Sequence, residues 1–62
     1  MLTRDQLIEI EAVRLWRRGF RIRRVTTKLI GKYGLDKNEA KKFAKVGRDV
    51  SIGKVIPDWE KK

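Results

Sequence analysis

The chain predicts an all-α fold, a compact three-helix domain with an extended C-terminal arm, and three observations carry the expectation. Apolar residues recur at helical spacing in three separate stretches. Two of those stretches open on residues that cap helix N-termini, and glycines stand where the first two should stop. The 62 residues leave room for a single domain with one small core, since a chain of this length buries only about 60% of the surface it exposes when unfolded.

The first helix is expected over about residues 4–18. Thr3-Arg4-Asp5-Gln6 has the form of a capping box, in which the Thr3 hydroxyl and the Gln6 side chain satisfy each other's backbone amides, with Leu2 and Leu7 spaced as a hydrophobic staple. Ile8, Ala12, Leu15 and Trp16 make its apolar stripe, and Gly19 is placed to end it in a left-handed conformation. The second helix is expected over about 21–33. Ile22, Val25, Leu29 and Tyr33 form its stripe, supported by Thr26 and Ile30, with Gly34 as the stop. A short strand competes locally, because Phe20 to Arg23 alternate and Val25-Thr26-Thr27 are β-branched.

The third helix is expected over about 37–48. Asp36 is its N-cap, Glu39 occupies the capping-box position, and Leu35 with Ala40 makes the staple. Ala40, Phe43, Ala44 and Gly47 share one face, small enough to let a neighbouring helix approach closely. From 50 to 62 the chain is apolar without helical period, and Pro57 disfavours helix at Ile56, so an extended arm anchored by Trp59 is expected.

Composition bounds the function. No stretch nears the roughly 18 to 20 apolar residues of a membrane span, and Arg4 and Asp5 stand where the apolar run of a secretory signal would begin, so a cytoplasmic protein with no membrane partner is expected. With no cysteine, disulfide staples and thiolate metal sites are excluded. Stability has to come from helix packing, a bound partner, or self-association as a homodimer. An enzyme is not expected: there is no His or Cys, and the eight carboxylates are scattered, several of them as caps. The glycines fit no phosphate-loop spacing, and neither a metal nor another cofactor is expected.

Charge points the other way, towards a polyanion. Seventeen basic residues against eight acidic ones give a net +9. Residues 1–13 carry a net −2, whereas residues 14–32 hold eight basic side chains and no acid. A field so concentrated attracts polyanions and speeds their capture. The cations follow helical spacing. Arg14, Arg17 and Arg18 fall on the first helix, and Arg21, Arg24, Lys28 and Lys32 form a stripe on the second, with Arg23 beside them. Lys37, Lys41, Lys45 and Arg48 line the third, flanked by Lys42. Six of the eight in the acid-free run are arginine, whose planar fork suits bidentate phosphate contact. Thr26, Thr27, Asn38 and Ser51 could add hydrogen bonds, and Asn38, near the start of the third helix, could reach an adenine edge.

Three short helices, the second and third joined through a turn at Lys32-Tyr33-Gly34-Leu35, resemble the helix-turn-helix arrangement of small transcription factors and phage or plasmid regulators, over roughly residues 4–50. The resemblance implies the third helix in a major groove and the arginines of the first two on flanking phosphates. Duplex DNA is therefore the expected partner, with RNA or the ribosome, or an acidic protein surface, as the alternatives. Of the aromatic residues, Phe20 and Tyr33 alone stand among the basic ones as stacking candidates; core roles are expected for all five.

Overall fold

Three helices carry the chain in the computed structural model, which describes residues 2–57 and Trp59: α1 is Arg4–Arg17, α2 Ile22–Tyr33 and α3 Lys37–Ser51. No strand forms among the described residues, so the alternating stretch from Phe20 resolves as a turn leading into helix.

The Thr3 capping box forms as its sequence predicts. The Gln6 amide donates to the Thr3 hydroxyl at 3.1 Å, and the Thr3 amide to the Gln6 side-chain carbonyl at 3.0 Å. Leu2 and Leu7 are both more than 40% exposed, so the staple leaves much of its apolar surface in solvent. At the far end Gly19, with φ +97°, closes a Schellman motif: its amide donates to Trp16 O and that of Phe20 to Leu15 O. Arg21 then adopts an extended conformation and starts α2 without a side-chain cap.

Gly34 closes α2, and only Gly34, Leu35 and Asp36 separate it from α3, a three-residue turn. Asp36 caps α3 by accepting from the Asn38 amide at 3.3 Å, one position earlier than the Glu39 amide of the expected box. The third helix runs past its expected end to Ser51. A second Schellman motif stops it there, with Gly53 at φ +81° donating to Val50 O and Lys54 to Asp49 O. The arm therefore begins at Ile52 rather than at Val50. Pro57 is buried and the Trp59 indole N–H reaches a Glu9 carboxylate oxygen at 3.4 Å, while Asp58 and residues 60–62 of the expected arm lie outside the described residues.

Ile8, Ala12, Leu15, Val25, Leu29, Leu35, Ala40 and Ala44 make one core from all three helices, with Trp16, Phe20, Tyr33 and Phe43 half-buried around it. Its tightest point is the crossing of α1 and α3. Gly47 sits so close to Ala12 that a Cβ there would lie 2.6 Å from the Ala12 Cβ. Next to it the Trp16 indole donates to Ala44 O at 2.8 Å, so the two helices pass in opposite senses. α1 also runs opposite to α2, tied by Lys32 to Glu11 at 3.1 Å and by the Arg4 guanidinium to Tyr33 O at 3.0 Å.

Candidate nucleic-acid interface

Each helix turns its apolar stripe inward, which forces its cations outward. All fourteen residues assigned to the interface from sequence are exposed: Arg14, Arg17, Arg18, Arg21, Arg23, Arg24, Lys28, Lys32, Lys37, Asn38, Lys41, Lys42, Lys45 and Arg48. Exposure alone is what any charged helix face shows. The information lies in which of them the packing brings together.

Three adjoining depressions gather ten of the cations. In the groove between α1 and α2 stand Arg14, Arg17, Arg18 and Lys32, with Lys28 further along. Around the Gly19 turn are Arg18, Arg21, Arg23 and Arg24, set about the Phe20 ring. Between α2 and α3 are Arg23, Lys37 and Lys41. Arg18 borders the first two depressions and Arg23 the last two, so the three form one band that passes around the start of α2. Glu11 is the acid among these lining residues, and its carboxylate is paired with Lys32, which cancels it locally.

Asn38, Lys42 and Lys45 border none of these depressions. They lie on the side of α3 that faces away from buried Ala40, Ala44 and Gly47, and form an exposed face of their own beside Lys41. Arg48 stands at the edge of that face, 3.6 Å from Asp49.

The two aromatic candidates pack against the core with a cation close to each ring, Lys28 4.9 Å from the Phe20 centroid and Lys32 5.8 Å from that of Tyr33. The core role expected of them is the one the packing gives. The Thr26 hydroxyl donates to Ile22 O at 2.7 Å and that of Thr27 to Arg23 O at 2.9 Å, so neither proton is available to a phosphate.

Two isoleucines at the edge of the core also reach this surface. Ile22, in the α2 stripe, and Ile30, which supports it, pack against the edge of the core and keep part of their surface along the groove facing Lys37 and Lys41. For Ile30 the spacing carries a signal: it follows Leu29 directly and so falls well round the helix from it.

Among the described residues no group of three or more carboxylates could hold a metal ion, and no helix is long and apolar enough to cross a membrane. The chain matches no protein-family model, no curated protein and no solved structure.

Proposed function

We propose that this protein is a small duplex-DNA-binding module of helix-turn-helix-like arrangement that grips phosphates through its basic band and presents α3 to the major groove. The observation that carries the reading is the continuity of the band, with ten cations around three linked depressions and Glu11, the acid among the described lining residues, paired with Lys32. Phosphates spaced along a polymer need cations spaced along a surface, and a protein that neutralises several gains the free energy of the counterions it releases.

The three-residue turn and the exposed outer side of α3 support the choice of duplex DNA. A helix about 10 to 12 Å across fits the roughly 12 Å wide major groove of B-form DNA, whereas the major groove of A-form RNA is too narrow to admit one. In that pose Asn38, Lys42 and Lys45 lie nearest the base edges, and Arg18, Arg21, Arg23 and Arg24 nearest the phosphates. No reacting group is required of the protein, whose contribution is position and charge.

The test is the affinity for a random-sequence DNA duplex across a salt series, with an RNA duplex and an acidic polypeptide as parallel ligands. The proposal expects DNA to bind tightest, with log affinity falling against log salt at a slope of about −4 to −7, which corresponds to roughly five to eight phosphates. Equal, weak binding of all three would overturn it. Tighter binding of the RNA or of the polypeptide would overturn it in favour of that partner.

A further inference from the structure

The groove between α2 and α3 differs in chemistry from the rest of the band. It is an open depression of about 440 Å³ in which Ile22 and Ile30, with Thr26 and Thr27, lie among the cations Arg23, Lys37 and Lys41. Such a volume falls within the range of ligand sites, about 300 to 1,000 Å³. The threonine hydroxyl protons are committed to helix carbonyls, so neither is offered to a ligand. Among the described residues no acid lines the groove.

A phosphate backbone would use the cations and leave the isoleucines wet. The exposed parts of two isoleucines about 12 Å apart along α2 are better covered by aliphatic side chains. The occupant therefore carries anions and aliphatic groups together. Unpaired nucleotides also combine an anion with an apolar body, but their bases bind on aromatic faces, and no aromatic residue lines this groove. The complement left is a peptide in which carboxylates flank an aliphatic residue.

We infer that the α2–α3 groove is a docking site for an acidic protein segment bearing leucine-like side chains between its carboxylates, and that this segment excludes DNA by occupying Arg23, Lys37 and Lys41. The docking itself stands on the groove alone. The exclusion of DNA rests on the function proposed above. Because the two ligands share cations, each weakens the other by the same factor.

The experiment uses the whole chain and two synthetic peptides of equal charge, one with leucines set among glutamates and one with serines in place of the leucines. The leucine peptide is expected to perturb the methyl resonances of Ile22 and Ile30. It should bind at least roughly tenfold more tightly than the serine peptide, as expected for burying one aliphatic side chain. Lys37→Glu with Lys41→Glu, at exposed positions that leave the core untouched, should weaken the leucine peptide by a further order of magnitude. Added DNA duplex should displace it. Equal affinity of the two peptides, or perturbations confined to α1, would overturn the docking site while leaving DNA binding in place. Peptide seated in the groove of a protein that binds no duplex would instead remove the DNA reading and the exclusion, and keep the site.

Discussion

A Cβ built at Gly47 would stand 2.6 Å from the Ala12 Cβ and 2.9 Å from the Ala12 carbonyl carbon, and the second of these is backbone that cannot rotate away. Gly47→Ala is therefore expected to push α1 and α3 apart. Overpacking of this kind costs about 1 to 3 kcal/mol, against which the better helix propensity of Ala returns about 1. The net should appear as a melting temperature lower by several degrees in a thermal circular-dichroism scan, at about 4 to 8 °C per kcal/mol for so small a domain. An unchanged or raised melting temperature would show that the crossing can relax. The neighbouring Trp16 to Ala44 bond, 2.8 Å and partly buried, permits a gentler test. Trp16→Phe keeps an aromatic ring and removes the donor, and should cost about 1 kcal/mol by the same measurement. In sequence Gly47 reads only as a small residue on an apolar face. That its missing side chain sets the distance between two helices follows from Ala12, 35 positions earlier, arriving opposite it.

The helices begin and end on local chemistry, and at this scale the sequence is most legible. Thr3 with Gln6, Gly19, Gly34 and Asp36 all act where their residue types predict, because capping bonds join residues at most a few positions apart. Asp36→Ala removes the side-chain bond that caps α3 and should lower stability by about 1 kcal/mol, seen in a urea titration as an earlier midpoint with an unchanged slope. A changed slope would mean that the cap holds more than its own helix. The end of α3 is the least legible of these boundaries. The chain from Val50 on, apolar without helical period, reads as lying beyond the helix, whereas the stop is Gly53, for the same left-handed reason as at Gly19. Burial of Val50 continues the helix for another turn, and that burial is tertiary.

Over the whole molecule the basic residues act as an arrangement rather than as a total. Arg18 and Arg23 are exposed and border two depressions each, so replacing both with Ala should interrupt the band without disturbing the core. For duplex DNA the expected result is a salt dependence shallower by roughly two units of slope, near 0.9 for each phosphate no longer neutralised, with an unaltered melting temperature. A slope equal to that of the unmodified chain would show that these arginines do not touch the polymer. The net +9, the acid-free run from Arg14 to Lys32, the three helices and the outward placement of their cations were all determined by the sequence, because helical period and charge are properties of neighbours along the chain. Which cations stand together was not. Arg23 meets Lys37 and Lys41, Lys32 cancels Glu11, and Asn38, Lys42 and Lys45 form a separate face, all through the way α2 and α3 pack on α1. The partial exposure of Ile22 and Ile30 was decided in the same way, since the packing turns Val25 and Leu29 fully into the core and leaves these two at its edge.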